Sequence, residues 1–205
     1  MTSENSRVTA VQSSSQLSKE DWIWAALRKL ASKGVADINV EVLARELGVT
    51  KGSFYWHFEN KEALLKETLS FWQTKFTHEV AELAAATIET PEKRIRFLYK
   101  LTTEDRDEIP GGRVEFALRE WSRRSEVARR AIAEVDIERT RVLANSYADM
   151  GVPRSRADRM AMLLMSHIIG INMMHSDLND KAMKKQRDDS FELLMSYAKM
   201  ERVKP

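Results

Sequence analysis

Apolar positions recur at helical spacing along almost the whole chain. Trp22, Ile23, Ala26, Leu27 and Leu30 share one face, with Ser18 and Asp21 placed as a capping box and Gly34 where the helix should end. A short second helix follows Asn39 as its cap: Val40, Leu43, Ala44 and Leu47 point inward, and Gly48 stops it. A third runs from Lys51 to about His57. Asn60 then caps a long fourth helix carrying Leu64, Leu65, Leu69, Trp72, Phe76 and Val80 to about Ala86. Beyond Pro91 the pattern predicts helices over 91–103, 113–124, 126–149, 154–177 and 188–201. They are broken at TTEDRDEIPGGR and at Gly151-Val152-Pro153. The expectation is an all-α chain in three parts: a Ser/Thr/Gln-rich flexible tail (1–16), a three-helix head (17–66) and a larger helical body (67–205).

Composition agrees with that fold class. Of 205 residues, 43% are hydrophobic, enough for a core, while 7 Gly and 4 Pro are too few to turn an all-β fold. Lys and Arg number 33 against 31 Asp and Glu, and the small positive balance is spread evenly over head and body. A nucleic-acid function must therefore rest on local placement, not bulk charge. With 0 cysteines, disulfides, thiolate metal sites and a Cys nucleophile are excluded. The apolar run Met160–Met174 is interrupted by Ser166, His167 and Asn172, too short and polar for a membrane span. MTSENSRVTAVQSSSQ lacks the basic start and apolar run of a signal peptide, so the expected location is cytoplasmic.

The informative stretch is ARELGVTKGSFYWHFENKEALL, residues 44–65. Gly48-Val49-Thr50 is too short a joint for the third helix to run back antiparallel to the second, so it must cross steeply, as in a helix-turn-helix. Val49, Phe54 and Phe58 supply the buried side, the two Phe being i, i+4 neighbours. The remainder, Lys51, Gly52, Ser53, Tyr55, Trp56 and His57, forms a face with no acid, two large aromatics and a helical glycine. Such a glycine costs about 1 kcal/mol against Ala, which suggests close backbone approach to something outside. A DNA major groove accounts for the set: Thr50 and the helix start offer donors to phosphate, Lys51 and Lys61 offer charge, and Tyr55, Trp56 and His57 reach phosphate, sugar or thymine methyl groups. The competing reading is an aromatic face that docks a protein partner.

LARELGVTKGSFYWHFENKEALL resembles the helix-turn-helix of the TetR family of transcriptional regulators, over about 50 residues from Gly34 into the fourth helix. The resemblance implies a homodimer whose heads bind a palindromic operator, and a body that takes a small inducer and releases the DNA. It places Thr50, Lys51, Gly52, Ser53, Tyr55, Trp56, His57 and Lys61 against DNA, and Asn39 both at its cap and near a phosphate. Ile38 stands where the family frequently has Thr, so that phosphate contact is lost.

In the body, MAMLLMSHIIGINMM is apolar around its circumference and must be covered on more than one side. Met160, Leu164, Ile168 and Ile171, with Leu194 and Tyr197 of the last helix, are the candidate dimer face. An intramolecular core is the alternative. Candidate lining for an apolar inducer is Trp72, Phe76, Phe97, Trp121, Tyr147 and Met165, each of which also reads as core. The arginines Arg119, Arg123, Arg124, Arg129 and Arg130 alternate with acids and read as a solvated face. His167 and His175 are too far apart for an i, i+4 metal pair. No catalytic motif and no cofactor-binding loop is found, and a non-enzyme without cofactor is expected.

Overall fold

The computed structural model describes residues 17–103, 111–174 and 180–201, and within them the chain is helical. The head holds α1 (Lys19–Lys33), α2 (Val40–Glu46) and α3 (Lys51–Tyr55), with a single 3-10 turn at Val35–Asp37. Three side-chain caps set the frame. Ser18 Oγ accepts from the Asp21 amide at 3.2 Å while Asp21 accepts from the Ser18 amide at 2.7 Å. Asn39 Oδ1 accepts from the Glu41 amide at 2.8 Å, and Asn60 Oδ1 from the Ala63 amide at 2.8 Å. Gly34 takes φ 79°, a conformation side chains resist, and closes α1 by donating to the Leu30 carbonyl.

The fourth predicted helix is interrupted. It runs as α4 (Lys61–Gln73), a π-turn (Thr74–His78) and α5 (Glu79–Thr87), and Gln73, Thr74, His78 and Glu79 all keep right-handed helical dihedrals. The body continues with α6 (Pro91–Thr103), α7 (Gly111–Ser122), α8 (Glu126–Asp149), α9 (Arg154–Met173) and α10 (Asp180–Met200). α6 and α8 match the predicted limits. α10 starts eight residues earlier than predicted because KAMKKQRD has too few apolar positions to display a period. The tail 1–16, residues 104–110 of the TTEDRDEIPGGR break and His175 fall outside the described residues.

Two cores hold the helices together. The first joins Trp22, Leu27, Leu30, Phe54, Leu64, Leu69 and Trp72 to Val114, Leu118, Ile132 and Val135, and so runs from the head into α7 and α8. The second packs Ile95, Tyr99, Leu143 and Tyr147 against Met160, Leu164, Ile168, Phe191 and Met195.

Met160, Leu164 and Ile168, read from the sequence as dimer face, are therefore buried inside their own chain. The apolar face left uncovered on α9 and α10 is instead Met162, Leu163, Met173, Leu193, Tyr197 and Met200. A helix apolar on every side gives no periodicity from which to tell its inner face from its outer. Ile171 and Leu194 are half-buried at the boundary, and Tyr197 stays on the exposed side. Arg119 is another correction. Its side chain is largely buried between α7 and α8, paired with Glu115 at 2.6 Å and Asp136 at 2.6 Å, so it does not belong to the solvated arginine face.

Candidate nucleic-acid interface and internal cavity

The placement of α3 follows from Phe54. Its ring is fully buried, meets Trp22 of α1 edge-on at 5.3 Å and stacks on Phe58 at 5.4 Å. Pinning that one face turns the others outward: Tyr55 is 55% and Trp56 84% exposed. Thr50, Lys51 and Gly52 are exposed as well, while Ser53, His57 and Lys61 are half-buried. Thr50 makes no side-chain cap bond to its own helix, so its hydroxyl stays available. A Cβ built on Gly52 would meet only the Thr50 hydroxyl at 3.6 Å, an ordinary contact. Nothing in the chain's own packing demands glycine there.

Asn39, Lys51, Tyr55 and Lys61 are brought together in one shallow cleft, together with Glu41 and Glu59. Glu41 corrects the expectation of an acid-free face. Its carboxylate is ion-paired with the Lys51 ammonium across the α2–α3 corner. That hydrogen bond holds the Glu41 carboxyl below the usual glutamate range and lifts the Lys51 ammonium above the usual lysine range. Sequence spacing missed it because the ten-residue separation is closed by the corner, not by a helical repeat. Lys61 forms no ion pair among the described residues.

A second site lies inside the body. One lobe, about 50 Å³, is aliphatic and lies between α5, α6, α8 and α9, with Val80, Leu98 and Val142 in its wall. An adjoining lobe of about 60 Å³ adds Trp72, Glu115, Ile169 and Asn172. Phe76, Leu101, Thr102, Arg139, Met165 and Ile168 line both. Of the six residues expected around an inducer, Trp72, Phe76 and Met165 meet here, and Phe97, Trp121 and Tyr147 do not. Tyr147 is wholly buried in the second core, and Trp121 sits in a cleft beside the end of α1. Phe97 is half-buried and lines neither lobe. Aromatic residues on three helices share the helical period of core positions, so the sequence could not sort them.

The polar wall was missed. Arg139 donates from Nε to Thr77 Oγ1 at 3.2 Å, from Nη1 to Glu115 Oε2 at 2.9 Å and from Nη2 to the Phe76 carbonyl at 3.3 Å. Its guanidinium also lies over the Trp72 ring at 5.4 Å. Burial works against the Glu115 charge, but the guanidinium groups of Arg139 and Arg119 outweigh it and hold the carboxyl below its ordinary range. A signal existed: Arg139 lies one turn from both Val135 and Leu143, in line with the buried stripe of α8. Phe76 links this wall to the head, its ring lying 6.1 Å from that of Trp24 on α1.

A small head with an outward aromatic helix of helix-turn-helix geometry is thus joined to a helical body with an internal cavity. Residues 23–68 match the profile of the bacterial regulatory proteins of the tetR family. The likeness to this family of transcriptional regulators is carried by the head of the chain. The uncharacterized HTH-type transcriptional regulator YerO of Bacillus subtilis is 41% identical over 54 residues. That match covers 26% of this chain and spans only about a fifth (19%) of YerO. LmrA of the same organism, an HTH-type transcriptional regulator, is 28% identical over 159 residues, covering 75% of this chain and 83% of LmrA. The fold resembles that of a transcriptional regulator from Saccharomonospora viridis solved in complex with choline. That likeness has a TM-score of 0.70 and 21% identity, covering 85% of this chain and 95% of the other. No helix among the described residues is long and apolar enough to cross a membrane.

Proposed function

We propose that the chain is a DNA-binding transcriptional repressor, acting as a homodimer on a palindromic operator and released from it by a small molecule held in the body. The observation that carries this reading is the sidedness of α3: Phe54 is buried while Tyr55 and Trp56, on either side of Lys51's turn, are left open to solvent. Large exposed aromatics beside lysine and glycine suit a groove of bases, sugars and phosphates. Asn39, Thr50, Lys51, Gly52, Ser53, Tyr55, Trp56, His57 and Lys61 form the DNA face in this reading.

The uncovered apolar face of α9 and α10 supports the dimer, because a contiguous apolar patch of that kind marks an association surface. The cavity between Trp72, Phe76 and Met165 supports the effector site, as does the structural relative that holds choline. Its position beside the π-turn couples it to the head through one continuous helical rod.

The test is fluorescence anisotropy with the DNA upstream of the chain's own gene, over a range of salt. Tight binding that weakens steeply with salt, and fails on a scrambled duplex, is expected. Equal, weak binding to both duplexes would leave α3 as a protein-docking face instead.

A further inference from the structure

We infer that the internal cavity takes an uncharged, largely apolar molecule bearing one hydrogen-bond acceptor of the carbonyl type, its apolar body in the aliphatic lobe and its acceptor on Arg139. This rests on the reading of the cavity as the effector site and adds the ligand's chemical class.

The argument is a count of charges and donors. The polar wall holds Arg139 and Glu115, and behind Glu115 lie the Arg119 guanidinium and the Asp136 carboxylate. They are already matched. Arg119 takes Asp136 with two bonds, at 2.9 and 2.6 Å, and both Glu115 oxygens are occupied, one by Arg119 at 2.6 Å and one by Arg139 at 2.9 Å. A ligand cation would therefore find no spare carboxylate. The aromatic face that could serve it, Trp72, already has the Arg139 guanidinium over it. A ligand anion would have to be buried beside Glu115 with no excess positive charge to balance it, which is costly in an apolar surround.

What the wall can still give is a donor. Guanidinium carries five N–H groups, and three of Arg139's are used, on Thr77, Glu115 and Phe76. The Thr102 hydroxyl is spent on the Leu98 and Tyr99 carbonyls, and the Asn172 amide donates to the Thr102 carbonyl at 3.1 Å. A ligand acceptor on Arg139 would satisfy a remaining N–H without changing the net charge. Opposite it stand Val80, Ala81, Leu98, Val142 and Leu143, which offer only apolar contact. The two halves of the cavity thus ask for the two halves of one amphiphile.

The experiment uses the full chain and three probes of matched length: 2-heptanone, heptanoate and heptylammonium. Calorimetric titration and the rise in Tm are measured on the native protein and on Ala81→Trp, a half-buried position where added bulk fills the aliphatic lobe. The ketone is expected to bind saturably and at least tenfold more tightly than either ion, and Ala81→Trp is expected to abolish that binding. Arg139→Lys keeps the charge but loses the fork, and should weaken the ketone about tenfold. If either ion binds as well as the ketone and Ala81→Trp removes it, the cavity is a ligand site and the assigned class is wrong. If no probe shows binding sensitive to Ala81→Trp, the inference and the effector-site reading fall together. Ketone binding that leaves DNA affinity unchanged would overturn only the effector reading, leaving the class in place.

Discussion

The Lys51 ammonium is ion-paired with the Glu41 carboxylate, so the first residue of α3 is tied to the second residue of α2. A lysine held in this way has to exchange partners before it can meet a phosphate. Both groups are exposed, so the exchange costs little, yet Glu41 still leaves a negative charge on the face that would meet DNA. Glu41→Gln should therefore raise affinity for any duplex several-fold, with sequence preference unchanged. Lys51→Ala should reduce the slope of log K against log salt by about one. Anisotropy titrations at four salt concentrations measure both.

Neighbouring residues of α3 should separate binding from stability. Tyr55→Ala and Trp56→Ala remove exposed rings and should weaken DNA binding tenfold or more with Tm nearly unchanged. Phe54→Ala empties a fully buried site and should cost about 3–5 kcal/mol. Thermal melts alongside DNA titrations check the contrast. A large Tm loss in Tyr55→Ala would put that ring in the core.

The limits of α6 and α8, the three caps and the sidedness of α3 were legible because each depends on residues within one or two turns of each other. Ser18 with Asp21, and Phe54 with Phe58, state their relationship in their spacing. What the sequence concealed is carried by contacts between distant segments. Glu41 reaches Lys51 around a corner, and Arg119 is drawn inward by Asp136 of another helix. Met160, Leu164 and Ile168 face inward only because α6, α8 and α10 cover them. The cavity was half legible: helix four supplied Trp72 and Phe76 as read, but the polar wall joins Glu115 of α7 to Arg139 of α8, a pairing no spacing within one helix displays.

The corrected apolar face gives a pair of opposed outcomes. Leu193→Glu lies on the exposed side of α10 and should yield a folded monomer with full helical circular dichroism. Leu164→Arg places an unpaired charge in the second core and should unfold the body. Light scattering and circular dichroism on both variants decide the matter. A dimeric Leu193→Glu would move the association surface elsewhere.

Acid should loosen the body through Glu115. Its folded carboxyl lies below the ordinary value of 4.5, so the stability it contributes is complete above that value and is lost as pH falls through the lower folded value. Glu115→Gln keeps the shape but strands Arg139 and shares of Arg119, and should lower Tm at neutral pH. It should also flatten the fall in Tm between about pH 5 and 3. Melting curves across that range test both statements.

The π-turn at 74–78 has a bearing on how the long rod is phased. One turn of this kind holds an extra residue, so the stripes on α4 and α5 belong to two different registers, offset by about 100° around the axis. The head-facing Leu64 and Leu69 obey one, and the cavity-facing Val80 and Ala81 obey the other. The surplus residue is absorbed in the widened turn, which turns and rises about as far as an α-turn holding one residue fewer. The ends of the rod therefore stay where an unbroken helix would put them, while the sequence slips by one position between them. One straight rod thus serves the core of the head and the wall of the cavity, although the apolar stripes that face them fall out of step along the chain.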